Sequence, residues 1–170
     1  MEKNDTPKYL IRAMTCADWE SVGRIYQKGM DTNTATFQVA CPTWEEFDLS
    51  HTHNCRYVIL RENIIIGWAA LTPVSKRPVY SGVAEVSIYI DEAFKNKGVG
   101  RELLTFLIEK SEQEGYWTLQ SGIMPENIAS IRLHEKCGFR LVGYREKIGK
   151  DRFGVWRDNW MMEKRSQLYR

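Results

Sequence analysis

The sequence predicts a single α/β domain of the α+β kind over residues 1–170, in which helices cover both faces of one sheet. Three observations support this fold class. The chain has 170 residues, enough to bury one hydrophobic core and too few for two ordinary domains. Segments with apolar residues at alternate positions are interspersed with segments of helical periodicity. Near the middle of the chain, a strand-like segment leads through a glycine-containing loop directly into a helix-like one.

The predicted strands are rich in β-branched and aromatic residues and are bounded by turn signals. Glu62 and Asn63 separate two of them and indicate a hairpin, although glycine is the preferred second turn residue. After Glu163 we expect a basic, frayed tail. The strands are predicted at residues 9–13, 56–61, 64–71, 83–90, 116–123, 139–144 and 154–162.

The helices are predicted from the spacing of apolar residues and from capping signals. Thr43, followed by Glu46 three residues later, has the form of a capping box and begins a short second helix. Asn127 is the expected N-cap of the last helix. Residues 31–42, rich in Thr and Asn, are predicted to be a loop. The helices begin near residues 15, 44, 100 and 128, and Gly29, Gly115 and Gly138 mark the ends of the first, third and fourth.

Composition and charge exclude several classes of protein. The 24 basic and 22 acidic side chains give a net charge of only +2, which does not favour nucleic acid or a membrane surface as a partner. No apolar run approaches the roughly 20 residues of a membrane span. Residues 1–5 are too polar to begin a signal peptide, so we expect a cytoplasmic protein. The four cysteines form no CxxC pair, which favours reduced thiols over a disulfide framework.

His51, His53 and Cys55 are three possible metal ligands at alternate positions. A metal site generally needs a fourth ligand and a scaffold that presents it, and nothing nearby in the sequence supplies one. We therefore favour a polar loop at this cluster and predict no metal.

The glycine loop between strand and helix is a candidate pyrophosphate site. Gly98 and Gly100 remove Cβ atoms that would keep an anionic ligand from the backbone, and the following helix directs unpaired N–H groups to the same place. A dinucleotide-binding motif would need Gly or Ala where Leu103 stands, and a P-loop would need a Gly-Lys-Ser/Thr sequence that is absent. An ordinary βα turn with glycines placed for geometry remains the alternative.

Glu85 lies near the start of the strand that leads into this loop. It shares one strand face with Ser87 and Tyr89, and a carboxylate inside a strand is costly if it is buried without a partner. Two interpretations remain open. Either Glu85 is solvated and paired with a nearby cation such as Arg77, or it has a chemical role.

Three parts of the chain together resemble the GNAT superfamily of N-acetyltransferases. They are the run 95–100 with its preceding strand, the Asn127-x-x-Ser130 pattern, and the segment 133–139, which contains Leu-His-Glu and ends in Gly-Phe. Lys95 departs from the superfamily pattern, which has Arg or Gln there. Lysine keeps the charge but cannot make the forked contact of arginine.

Further motifs resemble the phosphinothricin acetyltransferase branch of this superfamily. They are Thr34-x-Thr36-Phe37, Arg77-x-x-Tyr80 ahead of Glu85, and the C-terminal segment 153–158. Members of the branch acetylate the α-amine of phosphinothricin, methionine sulfoximine or methionine sulfone. The resemblance implies a mixed, mostly antiparallel sheet, acetyl-CoA as co-substrate, no metal, direct transfer in a ternary complex, and a homodimer.

The resemblance also implies roles for individual residues on the coenzyme side. The strand at Ile88, Tyr89 and Ile90 would pair with the pantetheine arm, and Asn127 would hydrogen-bond the coenzyme near the reacting group. An alternative for Asn127 is a purely capping role. The pyrophosphate would be held by the backbone amides of Asn96, Lys97, Gly98, Val99, Gly100 and Arg101.

The acceptor side needs a base, because an ammonium group must lose a proton before it attacks a thioester. Glu85 matches the branch's base position. His134 stands where many superfamily members have a proton-donating tyrosine. A histidine there resembles the narrower branch, which implies that His134 is catalytic and supports the base. A histidine that is merely packed in the helix is the alternative. Tyr89 and Tyr144 are other candidates for the proton donor.

Phe37, Arg77 and Tyr80, together with Glu85, would bind the acceptor, with Arg77 holding a carboxylate or phosphinate. Two other functions stay open beside an amino-acid acetyltransferase. One is acetylation of another small amine or of a peptide amine, and the other is a non-catalytic acyl-CoA sensor on the same fold.

Overall fold

Within the part of the chain that the structure describes, seven strands form one sheet. The strands are β1 (Leu10–Ala13), β2 (Arg56–Arg61), β3 (Ile64–Pro73), β4 (Val83–Ile90), β5 (Thr118–Ile123), β6 (Arg140–Lys150) and β7 (Trp156–Arg165). Their order in the sheet is β1-β2-β3-β4-β5-β7-β6. The computed structural model describes residues 8–169. All neighbouring strands are antiparallel except β4 and β5, which are parallel, so the predicted mixed, mostly antiparallel sheet is confirmed.

Four α-helices accompany this sheet in the described residues. The signals at Thr43, Gly115, Asn127 and Gly138 behave as predicted. The expected end of the first helix at Gly29 is wrong, because this helix begins at Trp19, after a 3₁₀ turn at residues 16–18, and continues to Asp31. The Thr43 side chain accepts the N–H of Glu46 at 3.2 Å, and the Glu46 carboxylate accepts the N–H of Thr43 at 2.8 Å. The Glu62-Asn63 hairpin forms with both residues at positive φ, 50° and 65°. The helices are α1 (Trp19–Asp31), α2 (Trp44–Ser50), α3 (Val99–Gln113) and α4 (Ile128–Lys136).

Each face of the sheet has its own hydrophobic core, which confirms helices on both faces. One core contains Ile25 of α1, Phe47 of α2 and Trp68 of β3. The other contains residues of α3 and α4, such as Leu103 and Ile131. Because side chains alternate along a strand, the odd-numbered residues of β4 from Glu85 onward face the α1 side, and the even-numbered ones face the α3 side.

The parallel strands β4 and β5 separate part of the way along. They pair only at Val83, Ala84 and Glu85. Beyond Glu85, β4 continues along β3 alone as far as Ile90, while β5 continues along β7 alone. The outer half of β4 therefore has one edge of backbone N–H and C=O groups that no strand of the sheet occupies.

The C-terminal strands are longer than predicted, and the expectation of a frayed tail after Glu163 is wrong. Strand β7 runs to Arg165, and the N–H of Ser166 donates to the carbonyl oxygen of Trp117 at 2.9 Å. The Tyr169 hydroxyl donates to the carbonyl oxygen of Glu112 at 2.9 Å. These contacts tie the tail to the end of α3. No helix within residues 8–169 has the length and apolar character to cross a membrane; the N-terminal residues 1–5 lie outside the described residues.

Candidate active site

The loop between β4 and α3 has an open backbone at the helix N-terminus. Gly98 is the N-cap of α3 with φ of 83°, and a Cβ added there would meet no heavy atom within 4 Å. The first helical hydrogen bond is donated by the N–H of Glu102 to the carbonyl oxygen of Gly98, at 3.1 Å. The N–H groups of Val99, Gly100 and Arg101 precede it and stay available, so the loop and helix dipole together suit an anion.

Gly100 has a different structural reason for lacking a side chain. A Cβ there would lie 3.1 Å from Leu133 Cδ2 and 3.6 Å from Ile90 Cγ1. Gly100 therefore lets α3 approach α4 and the end of β4 closely, which brings the helix N-terminus beside the unpaired strand edge.

Tyr89 has its backbone on that unpaired edge and its side chain in the core on the α1 side. Its ring stacks on Trp68 with centroids 5.0 Å apart and lies against Gly29, where a Cβ would be 2.5 Å from the ring. Burial, followed by the proximity of Tyr26, raises the pKa of Tyr89 well above its usual value, while the nearby Thr36 hydroxyl opposes the rise. The ring is thus held as a neutral phenol.

Glu85 lies at the point where β4 and β5 separate. Its side chain keeps contact with solvent, but surrounding protein raises the pKa of the carboxyl through desolvation, and Arg145 and Gln120 oppose this rise. Among residues 8–169, no ion pair or hydrogen bond joins Glu85 to Arg77. The Arg77 guanidinium instead lies over the Tyr80 ring, 5.5 Å from its centroid.

His134 is buried on α4, with 1% of its surface exposed. Its Nδ1 lies 2.8 Å from the Ser130 carbonyl oxygen, which can only accept, so Nδ1 carries the proton. Its Nε2 is buried and has no hydrogen-bond partner in the described part of the chain. Burial lowers the pKa of His134, although the Ser130 carbonyl opposes this. The ring is therefore neutral with an unprotonated, unpartnered Nε2.

Asn127 caps α4 as predicted. Its Oδ1 accepts the N–H of Ser130 at 3.2 Å. Within the described residues its Nδ2 donates no hydrogen bond to the protein, so the same side chain can cap the helix and bind a ligand.

Tyr144 shares a strand with Arg145 but points to the opposite face of the sheet from it. Its hydroxyl donates to the Asp158 carboxylate, which raises the pKa of Tyr144 to about 12. Asp158 also accepts the N–H of Lys147 at 2.7 Å, at the bulge where the register of β6 shifts. Tyr144 thus helps to hold the bulge.

The loop that carries Phe37 is attached to the β6–β7 hairpin. A Cβ on Gly149 would lie 3.1 Å from the Phe37 ring. The Asn33 side chain donates to Asp151 at 2.9 Å, and Arg157 donates to the Asn33 carbonyl oxygen at 3.0 Å. Phe37 therefore stands beside the C-terminal strands, whereas Arg77 and Tyr80 lie on a separate loop ahead of β4.

The candidate metal ligands separate in the structure. His51 stacks on Phe47 with centroids 3.9 Å apart, and His53 lies 3.7 Å from Asp48. Cys55 is buried, 2% exposed, and burial raises the pKa of its thiol to about 12. Residues 8–169 contain no group of three or more His, Cys, Asp or Glu side chains arranged to hold a metal.

Arg145 and Gln120 are two residues near Glu85 that sequence reasoning missed. Gln120 is the cross-strand neighbour of Glu85 on β5. Alternation along the predicted strands indicates a face for each of them, but only the strand order brings those faces beside Glu85.

Comparison with known proteins identifies a family for this chain. The family described as "Acetyltransferase (GNAT) family" matches residues 19–139. A phosphinothricin N-acetyltransferase of Streptomyces viridochromogenes is 29% identical over 153 residues, which are 87% of this chain and 82% of that protein. An L-methionine sulfoximine/L-methionine sulfone acetyltransferase of Salmonella typhimurium is 32% identical over 107 residues, and this match spans only 62% of each chain.

A solved structure agrees over a larger part of the chain. A GNAT superfamily phosphinothricin acetyltransferase from Sinorhizobium meliloti, crystallised with acetyl-CoA, superposes with a TM-score of 0.84 at 28% identity. The match covers 93% of this chain and 88% of that one. Family match, relatives and fold together establish that the chain belongs to the GNAT acetyltransferase family.

Proposed function

We propose that the protein transfers the acetyl group of acetyl-CoA directly to the α-amine of a small amino-acid analogue, such as phosphinothricin, methionine sulfoximine or methionine sulfone. The observation that carries the proposal is the position of Glu85, which is the last β4 residue paired with β5. A carboxylate there lies where the unpaired strand edge begins. The named activities of the relatives in Streptomyces and Salmonella support this acceptor class.

Acetyl-CoA fits the coenzyme side as this chain builds it. The backbone amides of residues 96–101 suit a pyrophosphate, because Gly98 leaves the space open and the first turn of α3 has N–H groups without helical acceptors. The free edge of β4 at residues 88–90 offers backbone groups to the amides of the pantetheine arm. Bound there, acetyl-CoA supplies the acetyl thioester.

Glu85 acts as the base in this proposal. Its carboxylate takes a proton from the acceptor's ammonium, directly or through one water, which frees the nitrogen lone pair for attack. Desolvation raises the pKa of Glu85 from 4.5, which makes the carboxylate a stronger proton acceptor. Arg145 and Gln120 oppose this rise and so favour the ionised carboxylate.

His134 assists from the α4 side. Since Nδ1 donates to the Ser130 carbonyl, the neutral ring offers Nε2 as an acceptor. It has no proton of its own to donate from Nε2, but it can accept the proton that the acceptor nitrogen loses after attack and pass it to the departing thiolate, which leaves as the coenzyme A thiol. Phe37, Arg77 and Tyr80 complete the acceptor pocket in this proposal, with Arg77 and Tyr80 toward the acidic or polar end of the acceptor side chain.

A thiol-reagent assay with acetyl-CoA and each amino-acid analogue tests the function. We expect coenzyme A release with at least one analogue and acetylation of its α-amine by mass spectrometry. Absence of release across a panel of amino acids, small amines and peptides would favour the non-catalytic sensor.

Glu85→Gln tests the base. It should lower kcat by roughly 10²- to 10⁴-fold with unchanged acetyl-CoA affinity, and it should remove the acidic limb of the pH profile. Glu92→Gln, an exposed change in the turn after β4, is the control. An acidic limb that persists in Glu85→Gln would contradict the assignment.

The homodimer and the cytoplasmic location are also part of this proposal. Apolar side chains exposed on the C-terminal hairpin, including Ile148, Phe153 and Trp156, support self-association. All four cysteines are unpaired, as expected in a reducing compartment. Light scattering of the purified protein measures the oligomeric state.

A further inference from the structure

The sheet face that carries Glu85 is not covered by α1 and α2 along its whole width. The core beneath these helices is built from β2, β3 and the end of β4, and it includes Val58, Leu60 and Trp68. None of its residues comes from β5, β6 or β7. The part of this face formed by the last three strands is therefore open beside Glu85, apart from the attached loop that carries Phe37.

The strand register determines which side chains line this open face. Gln120 pairs with Glu85 across β4 and β5, and Gly122 lies on the same face two residues later. A Cβ on Gly122 would lie 2.7 Å from the Asn159 side chain, so Asn159 covers this position from β7. Arg145 of β6 is the cross-strand partner of Asn159 and so faces the same side.

Arg145 differs from the other arginines of these strands because it has no partner. Arg157 contacts Glu126 and Asp151, each at 3.6 Å. Arg140 forms an ion pair with Glu163. Within residues 8–169, Arg145 forms neither a hydrogen bond nor an ion pair, and its side chain is exposed.

Glu85 and Arg145 face the same side of the sheet, and no hydrogen bond or ion pair joins them within residues 8–169. The positive charge of Arg145 opposes the rise in the pKa of Glu85, yet no ion pair joins the two side chains in the described residues. Two opposite charges on the same face of the sheet that form no ion pair with each other match a ligand that carries both charges. In an α-amino acid, the amine and the carboxylate are attached to the same carbon.

We infer that Arg145 binds the α-carboxylate of the acceptor while its amine is directed to Glu85. This inference rests on the proposed function and makes the acceptor class an α-amino acid with a free carboxylate, in preference to a simple amine. Arginine suits the role because its guanidinium binds a carboxylate through two parallel hydrogen bonds. Arg77 lies over Tyr80 on another loop, so it is left to contact the acceptor's side chain.

The test compares two acceptors, methionine sulfone and the methylsulfonylpropylamine that remains when its carboxylate is removed. Loss of a charge-assisted contact predicts that Arg145→Gln lowers kcat/KM for methionine sulfone roughly 10- to 100-fold, mainly through KM, and changes it little for the amine. Arg145→Lys keeps the positive charge but cannot make two parallel hydrogen bonds to a carboxylate. Its kcat/KM for methionine sulfone should therefore lie between the values for wild type and Arg145→Gln. Any effect through the pKa of Glu85 acts on both acceptors and cancels in their ratio.

Lys147→Gln is the matched control, because it removes one positive charge from an exposed position of the same strand. It should leave both acceptors unchanged. If wild type acetylates methionine sulfone and Arg145→Gln affects both acceptors equally, or neither, the role of Arg145 is refuted while the proposed function stands. If wild type acetylates no amino acid, the proposed function and this inference fall together.

Discussion

Gly98→Ala separates the cost of backbone strain from the loss of a ligand site. Gly98 has φ of 83°, and a Cβ there would meet no heavy atom of the protein within 4 Å. A methyl group therefore causes no clash, and the change in stability comes from the left-handed backbone alone, about 1–2 kcal/mol. For a chain of this size that corresponds to a fall in Tm of roughly 2–8 °C.

The loss of binding free energy for acetyl-CoA should be larger than the free-energy cost of this backbone strain. If the open space holds the pyrophosphate, the methyl group displaces the phosphate oxygens from the α3 amides. Loss of one charge-assisted hydrogen bond would raise the KM for acetyl-CoA roughly 10- to 100-fold. Initial rates at varied acetyl-CoA, with a thermal melt of the same preparation, measure both quantities.

Gly115→Ala is the matched control at the other end of α3. Gly115 has φ of 92° and also leaves its Cβ position empty, so the strain is the same but the helix N-terminus is untouched. The Tm should fall by a similar amount in both variants, and the affinity for acetyl-CoA should fall only in Gly98→Ala. An unchanged KM in Gly98→Ala, with the same fall in Tm as in the control, would refute the pyrophosphate site.

Three further predictions concern the acceptor and coenzyme sides. Asn127→Asp keeps an oxygen for the Ser130 N–H and removes the amide donor, so it should raise the KM for acetyl-CoA without lowering Tm. Asn127→Ala should also cost about 1 kcal/mol of stability. Equal KM values in wild type and Asn127→Asp would mean that Asn127 only caps the helix. The added Cβ of Gly149→Ala would lie 3.1 Å from the Phe37 ring and would displace it. In steady-state kinetics this variant should raise the KM for the acceptor but not the KM for acetyl-CoA. An unchanged KM for the acceptor would show that Phe37 does not line the acceptor pocket. Because burial lowers the pKa of His134 from 6.5 in the folded protein, the unfolded chain binds more protons than the folded one below that pH, and the free energy of unfolding should fall as the pH drops from 6.5. In urea titrations at several pH values, His134→Asn should make this fall smaller. An equal dependence of the free energy of unfolding on pH in both proteins would mean that another group is responsible.

Features that depend on a few neighbouring residues could be predicted from the sequence. The capping box at Thr43 and Glu46 and the hairpin turn at residues 62–63 need only local hydrogen bonds and backbone preferences. The N-cap at Asn127 is of the same kind. Glu85 and the glycine loop stood out because their residue types are costly or unusual where they occur.

Features that depend on distant segments could not be predicted. The length of β6 depends on Asp158 of β7, which reaches across to Tyr144 and to the backbone at Lys147. Arg145 approaches Glu85 only because β7 lies between β5 and β6, which reverses the order of the last two strands in the sheet. Sequence patterns indicate that such strands exist, but not which of them are neighbours.

The early separation of β4 and β5 also has a mechanical consequence. Within the described residues, three cross-strand pairs join strands β1–β4 to strands β5–β7, and one hydrophobic core on the α3 side spans both groups. Local opening along this seam on the α1 side breaks few backbone hydrogen bonds, so its cost in free energy comes mainly from the shared core. A ligand that bridges both sides would take the place of the missing strand pairing and couple the halves into one cooperative unit, so the protein would become most rigid when its substrates are bound.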